Sequence, residues 1–321
     1  MVKVGIAGAG SALGREVIDI LVEGGQHEIV ALVRKDPANY PQQPNVNWIQ
    51  ISYEDKSELV KHLRGVDVVL NFIVVNEDAE NTVGKFVIDA AVAAGVKRYA
   101  PSEWATGQKL RDAIDSLGFY RSKLAIQEYL EEINKDRKVI EYTLFQPGIF
   151  LDYLGHPHKR LKYLYSMDSP WLVRENRIVS VKGSEDKPLT FTAARDIGRI
   201  VRRAIEYEGE WPRIGGIMGN QVTPRQLKQI VQRVTGKPTE LQLTDPADLE
   251  AGVLAVDLPV MAHPAMTDEM RTVYHVPLWV GMLRSTALGA WTVSDEWNKI
   301  FPDYKFVAVE DYIKEVWGKQ K

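Results

Sequence analysis

A lysine falls on the apolar side of a predicted helix. Residues 118–134 (GFYRSKLAIQEYLEEIN) place a stripe of apolar side chains at the helical period, Phe119, Ile126, Leu130 and Ile133. Lys123 lies within that stripe, and Tyr120 lies one turn earlier. A lysine so placed either extends its charge to water, pairs with an anion or lines a cavity. In a cavity, burial lowers its pKa, which suits a general acid or base.

A glycine-rich loop follows the first apolar run. Gly8-Ala9-Gly10-Ser11-Ala12-Leu13-Gly14 comes directly after VKVGIA (2–7) and opens an amphipathic helix predicted over 12–24. Such glycines permit a tight turn and a close approach of backbone to phosphate, and the helix N-terminus offers free N–H groups. A structural turn is the alternative. The strand–loop–helix context favours a dinucleotide-binding loop.

The end of the second predicted strand carries two cations, Arg34 and Lys35. An acidic residue in this place would bind a ribose 2′-hydroxyl and indicate NAD, whereas cations suit a 2′-phosphate. Two solvated charges at a strand end are the alternative. The pattern favours NADP(H) over NAD(H).

Other chemistries have little support in the sequence. The chain has six histidines without a metal-binding spacing and no cysteine, so a metal site, a disulfide framework and a Cys nucleophile are not expected. A G-x-S-x-G elbow is missing, which disfavours a serine hydrolase. His156 and His158 could touch a substrate, but an exposed loop is the simpler interpretation.

The elements that must position these residues alternate between strand and helix over the first 150 residues. Strands are predicted at 2–7, 28–33, 46–52, 66–73, 96–100 and 139–145, and helices at 12–24, 55–64, 79–94 and 118–134. Nearly continuous apolar strands between helices are typical of a parallel sheet covered on both faces. The sequence therefore predicts an α/β, doubly wound Rossmann domain over 1–150. Residues 151–321 are predicted to form a smaller substrate lobe, with some strands returning to the main sheet.

Composition is that of an ordinary globular protein. The 321 residues carry 40 Lys and Arg against 43 Asp and Glu, a net charge of −3, which argues against a nucleic-acid partner. The N-terminus lacks the features of a signal peptide, and uninterrupted apolar runs are too short for a membrane span, so a cytoplasmic location is expected. The oligomeric state cannot be read from the sequence.

These motifs together resemble the NmrA-like, isoflavone-reductase-like branch of the atypical short-chain dehydrogenases. The resemblance rests on Gly8, Leu13 and Gly14 in the loop, on Arg34, and on segments further along the chain: Arg98-Tyr99-Ala100-Pro101-Ser102-Glu103-Trp104, Gln146-Pro147-Gly148-Ile149-Phe150, Asp196-Ile197-Gly198 and Phe301-Pro302-Asp303-Tyr304-Lys305-Phe306. Lys123 aligns with the general acid/base of the plant phenylpropanoid reductases.

The resemblance implies an NADPH-dependent reductase of a hydrophobic, aromatic secondary metabolite such as an enone or imine. Lys123 and Tyr120 are the expected catalytic residues. The expected cofactor contacts are Gly8, Gly10, Ser11, Ala12, Leu13, Arg34, Lys35, Asn71, Lys123, Gly148 and Phe150. The expected substrate contacts are Trp104, Phe150 and Tyr153. The aromatic residues just after the sheet, Phe150 and Tyr153 among them, could equally be ordinary core. Two alternatives stay open: an NADP(H)-binding isomerase or cyclase without net redox change, and a non-catalytic redox-sensing regulator.

Overall fold

Six parallel strands form the main sheet of the protein, in the order β3-β2-β1-β4-β5-β6. The computed structural model describes residues 1–75, 78–261 and 266–318. The strands are β1 (Val2–Ala7), β2 (His27–Val33), β3 (Val46–Gln50), β4 (Val68–Asn71), β5 (Arg98–Ala100) and β6 (Glu141–Tyr142). The strand order reverses between β1 and β4, as in a doubly wound dinucleotide fold. The predicted α/β Rossmann architecture is confirmed.

Helices cover both faces of this sheet. Those of the first half are α1 (Ala12–Glu23), α2 (Lys56–Leu63), α3 (Thr82–Ala94) and α4 (Arg121–Ile133). Successive strand side chains point to opposite faces, so β2 contributes Ala31 to one core and Leu32 to the other. Helix α1 packs on the first of these cores, and α2, α3 and α4 pack on the second.

One strand from the C-terminal half lies at the far edge of this sheet. Strand β7 (Leu144–Gln146) follows β6 after Thr143, whose N–H donates to the carbonyl of Tyr99 at 3.2 Å. Strand β12 (Ile214–Gly216) then pairs with β7 in parallel. The chain thus comes back to the edge of the sheet after leaving it at Gln146. A domain boundary at residue 150 stays a prediction.

Two three-stranded sheets and six helices make up the rest of the described C-terminal half. The strands are β8 (Ile149–Phe150), β9 (Trp171–Leu172), β10 (Arg177–Val181), β11 (Leu189–Thr192), β13 (Asn220–Val222) and β14 (Glu240–Thr244). The helices are α5 (Ala194–Glu206), α6 (Pro224–Thr235), α7 (Pro246–Glu250), α8 (Asp268–Ala287), α9 (Glu296–Ile300) and α10 (Val309–Trp317). None of the helices in the described ranges has the length and apolar character needed to cross a membrane.

Asp196 lies in the first turn of α5 and is not its N-cap. The helix begins two residues earlier, with Ala193 at the N-cap position. The Asp196 carboxylate instead accepts hydrogen bonds from the Tyr304 hydroxyl at 2.7 Å and from the Val307 N–H at 2.8 Å. Asp196 therefore ties α5 to the segment that precedes α10.

Candidate active site

The glycine loop lies at the carboxyl end of β1, beside the point where the strand order reverses. Gly8 has a φ of +68°, and a Cβ there would lie 2.8 Å from the backbone of Phe72 and Ile73. The position therefore requires glycine, because both its conformation and its surroundings exclude a side chain. The Gly8 N–H donates to the Tyr53 hydroxyl at 2.8 Å, and that hydroxyl donates to the Leu32 carbonyl at 2.8 Å.

Helix α1 presents its N-terminus to this loop. Ser11 is the N-cap, and its Oγ accepts a hydrogen bond from the Gly14 N–H at 3.1 Å. Within the described ranges, the N–H groups of Ala12 and Leu13 have no partner. Free N–H groups at a helix N-terminus form a site for a phosphate group. The loop and the first turn of α1 therefore fit the pyrophosphate of a dinucleotide.

The two cations that follow β2 are both exposed. Arg34 and Lys35 leave the sheet at the carboxyl end of β2, next to the end of β1. Asp36, which follows, uses its carboxylate to accept from the Ala38 N–H at 2.8 Å. The Asp36 carboxylate thus binds the backbone of its own loop. Arg34 and Lys35 are available to an anionic ligand.

Lys123, in the first turn of α4, is held between two strand-end carbonyls. Its Nζ donates to the carbonyl oxygens of Ser102 at 2.5 Å and Glu103 at 2.6 Å. The same atom lies 4.9 Å from the centroid of the Tyr120 ring. Burial lowers the pKa of Lys123, and the nearby Glu103 carboxyl partly opposes this shift. The geometry places a desolvated ammonium just beyond β5.

Glu103 is the buried carboxyl in this cluster. Its side chain is 2% exposed, and its Oε2 accepts from the Gln127 amide at 3.0 Å. Its Oε1 has no partner among the described residues. Burial raises the pKa of Glu103, against the effect of the Lys123 ammonium. Sequence reasoning used Glu103 only as part of a motif and did not identify its burial.

Aromatic side chains continue the cluster toward the C-terminal half. Burial raises the pKa of Tyr120 to about 12, and it raises the pKa of Tyr153 as well. Tyr120 and Tyr153 pack against the same apolar core, and the ring of Phe150 lies 5.5 Å from that of Tyr153. Tyr120, a predicted catalytic residue, and Tyr153, a predicted substrate residue, therefore belong to the same apolar cluster.

Two predicted site residues, Trp104 and Asn71, make their contacts in the protein interior. The Trp104 ring stacks on Phe72 at 4.5 Å and on Phe145 at 5.3 Å, and its indole N–H donates to the Asn71 carbonyl. The Asn71 amide donates to the Tyr99 hydroxyl at 2.9 Å and accepts from the Ile73 N–H at 2.8 Å. Both side chains support the ends of β4 and β5. Their contacts with substrate and cofactor stay predictions.

Gly148 lies between β7 and β8. Its φ is +74°, its N–H donates to the Ala105 carbonyl at 2.8 Å, and a Cβ there would lie 2.5 Å from the Thr190 carbonyl oxygen. Glycine is needed here because β8 must turn closely past β11. A contact between Gly148 and a cofactor stays a prediction.

The histidines form no metal site in the part of the chain that the structure describes. His156 contacts Ser166 through Nδ1 at 3.0 Å and Asp168 through Nε2 at 3.5 Å. His158 packs edge-on against Trp317, with ring centroids 4.7 Å apart. Both residues have partners within their own lobe.

This chain is similar to several known proteins. The sequence profile of the NmrA-like family matches residues 2–313. An oxidoreductase of Botryotinia fuckeliana, BOA1, is 27% identical over 240 residues, which cover 74% of this chain and 77% of that protein. The oxidoreductase swnN of Metarhizium robertsii is 22% identical over 99% of this chain and 98% of its own.

Solved structures share the fold. AtPrR2 with NADP+ and (+)pinoresinol superposes with a TM-score of 0.70 at 18% identity, covering 98% of each chain. The NADPH-dependent quinone oxidoreductase QOR2 of Escherichia coli, complexed with NADPH, superposes with a TM-score of 0.69 at 21% identity, covering 98% of this chain and all of that one. The match of the family profile extends from β1 to α10, and the chain belongs to the NmrA-like family.

Proposed function

We propose that this protein is an NADPH-dependent reductase of a hydrophobic, aromatic secondary metabolite that carries an enone, imine or related group. The observation that carries the proposal is the desolvated Lys123 ammonium, which the carbonyls of Ser102 and Glu103 hold beyond β5. Relatives named as oxidoreductases, and structural neighbours solved with NADP+ or NADPH, support the same proposal.

The residues at the sheet edge fit the cofactor. The free N–H groups of Ala12 and Leu13 would bind the pyrophosphate, and Arg34 would bind the 2′-phosphate that distinguishes NADPH from NADH. When bound, NADPH supplies a hydride to the substrate. Reduction of an enone, carbonyl or imine in this way adds the hydride to carbon and moves an electron pair onto oxygen or nitrogen.

Lys123 would stabilise that charge and donate the proton that neutralises it. An ammonium has three donors, and two of them are used by the carbonyls of Ser102 and Glu103. The third is left for the substrate. After the proton leaves, the neutral amine keeps two N–H donors for the same two carbonyls, so the side chain need not move during the transfer.

The aromatic side chains of Tyr120, of β8 and of the segment after β8 support this substrate class. Tyr120, Phe150 and Tyr153 would contact a flat apolar molecule on the side of the C-terminal half. One structural neighbour was solved with NADP+ and (+)pinoresinol. The particular metabolite is a matter for a substrate screen.

The test combines NADPH oxidation with product identification over a panel of aromatic enones and imines. We expect turnover by the parent protein, and a loss of about 10²- to 10⁴-fold in the Lys123→Met variant, the usual effect of removing a general acid. Lys97→Met is the matched control, because Lys97 is 77% exposed and precedes β5 at the opposite edge of the sheet.

Three outcomes would contradict the proposal. Parental turnover in Lys123→Met would remove the acid/base role. Loss of turnover that follows only from loss of NADPH binding would make Lys123 a cofactor ligand. Isomerised or cyclised products without NADPH oxidation would favour the redox-neutral alternative.

A further inference from the structure

An arginine and a tyrosine approach each other in front of the glycine loop. The Tyr40 hydroxyl lies 2.5 Å from the point where a Cβ on Gly10 would stand. The Arg15 guanidinium lies 5.9 Å from the centroid of the Tyr40 ring. Burial raises the pKa of Tyr40, while the charges of Arg15 and Arg34 both act to lower it. Arg15 and Tyr40 therefore meet beside Gly10. Arg34 follows β2 in the same neighbourhood, where the Leu32 carbonyl of β2 accepts from the Ala9 N–H of the glycine loop at 3.1 Å.

Neither of these arginines has a carboxylate partner. Arg98, Arg111 and Arg121 bridge carboxylates at 2.8–2.9 Å. Arg15 and Arg34 are among the arginines that have no carboxylate of a described residue within 4.0 Å. The Nε of Arg15 is also buried without a hydrogen-bond partner within the described chain. A guanidinium with a buried, unpartnered Nε next to the Tyr40 ring and the glycine loop indicates a site for an anion.

Arg15 is already held in position. Its guanidinium lies 3.7 Å from the centroid of the Tyr163 ring. The neighbouring Glu16 carboxylate accepts from the N–H groups of Tyr163 at 2.5 Å and Leu164 at 3.0 Å, which fixes that loop against α1. A planar guanidinium stacked in this way loses little further freedom when it binds a phosphate. Lys35, by comparison, is exposed at the start of its loop.

We propose that Arg15 is the second cation that binds the 2′-phosphate of the dinucleotide, opposite Arg34 and with the Tyr40 hydroxyl as a third donor. The inference rests on the proposed NADPH-dependent function and revises it, because Arg15 takes the part that the sequence pattern gave to Lys35. The ligand chemistry is a phosphate monoester dianion, for which the two donors of an arginine fork are well suited.

The test measures the affinity of NADPH, NADH and 2′,5′-ADP by titration calorimetry for the parent, Arg15→Gln and Lys35→Gln. Both variants remove one positive charge from the same neighbourhood. We expect Arg15→Gln to weaken NADPH and 2′,5′-ADP by about 10- to 100-fold, the effect of losing a charge-assisted hydrogen bond. NADH affinity should change less than threefold, which also shows that the variant is folded. Lys35→Gln should weaken NADPH and 2′,5′-ADP less than Arg15→Gln does. Lys61→Gln, at an exposed position on α2, is the control that should leave all three affinities within about threefold.

The outcomes separate this inference from the proposed function. If Arg15→Gln binds NADPH like the parent, or weakens NADH to the same extent, the assignment of Arg15 is overturned while the reductase proposal stands. A tenfold effect of Lys35→Gln alone would return the role to Lys35. If the parent binds neither dinucleotide, the proposed function itself fails and the 2′-phosphate site with it. Arg15→Lys should keep part of the preference for NADPH. Lysine retains the positive charge but lacks the two parallel N–H donors of the guanidinium.

Discussion

Burial lowers the pKa of Lys123 more than the neighbouring Glu103 carboxyl raises it. Its Nζ contacts two carbonyl oxygens, and the Glu103 carboxyl is close enough to oppose the lowering of its pKa. The unfolded chain offers no such burial, so the pKa of Lys123 is about 10.4 there. The difference between the two states couples protonation of this one residue to stability.

The coupling predicts a pH dependence for Lys123→Met. Between the folded and unfolded pKa values of Lys123, the unfolded state binds the additional proton, so the free energy of unfolding of the parent rises with pH. The variant lacks this contribution. We therefore expect the parent to gain stability relative to Lys123→Met as pH rises towards about 10.4, measured by urea unfolding at several alkaline pH values. A difference that stays constant with pH would show that burial does not depress the Lys123 pKa.

Tyr53 gives a second prediction at the scale of a residue. Its buried hydroxyl joins the Gly8 N–H to the Leu32 carbonyl, so Tyr53→Phe leaves both groups without that partner. We expect a loss of roughly 1–3 kcal/mol in the free energy of unfolding, and weaker dinucleotide binding because the glycine loop loses its support. Tyr274→Phe, at a side chain that is 48% exposed, should change stability by less than about 0.5 kcal/mol. Equal effects of the two substitutions would contradict this role.

At the level of the helices, two N-caps distinguish an effect on stability from an effect on NADPH binding. Ser11 caps α1 at the glycine loop, and Thr223 caps α6 in the C-terminal half, where it forms a capping box with Gln226. Ser11→Ala and Thr223→Ala should each cost about 1 kcal/mol in the free energy of unfolding. Only Ser11→Ala should also weaken NADPH, because only α1 directs its N-terminus at the proposed phosphate site. Loss of NADPH affinity in Thr223→Ala would indicate that general destabilisation is the cause.

Elements with a strong apolar period could be predicted from the sequence. The helix expected over 12–24 is α1 (Ala12–Glu23), and the strand expected over 2–7 is β1. Helix α8 could not be predicted in this way. Its first half is exposed on several sides, with Val273 60% and Tyr274 48% exposed, and Pro277 lies inside it. Apolar residues that face water do not follow the helical stripe on which the prediction depends.

The candidate site was predictable where it depended on one helix and not where it depended on loops. The period of α4 placed Lys123 on the inner side, as the structure shows. The same period wrongly predicted a buried Phe119, which is 38% exposed because a 3-10 turn over Gly118–Tyr120 precedes the α-helix. The contacts of Tyr40 and Tyr53 depend on where two loops return to the sheet. Tyr53 also has a φ of +65°, which residue type does not predict.

At the scale of the molecule, the two halves of the chain share one core. Helix α5 packs on α1, and side chains from the C-terminal half, among them Ile197, Val201 and Trp297, join the cluster that covers one face of β1 and β2. Strand β12 pairs with β7 at the edge of the sheet. The first 150 residues alone would therefore leave this apolar face uncovered.

The shared core predicts cooperative unfolding. We expect a single calorimetric transition for the full chain, with a van't Hoff enthalpy close to the calorimetric one. A fragment of residues 1–150 should fail to give a cooperative melt, because its α1 face lacks α5 and the strands of its edge lack β12. Two separate transitions, or a fragment that melts cooperatively and binds NADPH, would show that 1–150 folds on its own.

The return of β12 to the sheet also limits how a substrate can enter. A substrate lobe joined by a simple linker can rotate about a hinge and open the cleft as a rigid body. Here β12, α5 and α9 attach the second half of the chain to both the edge and the face of the sheet that carries the cofactor loop. Rotation of that half as a rigid body would break the pairing of β12 with β7. Under the proposed function, substrate and product would exchange through movement of loops and side chains around Tyr120 and Tyr153, on the faster timescale of such local motions.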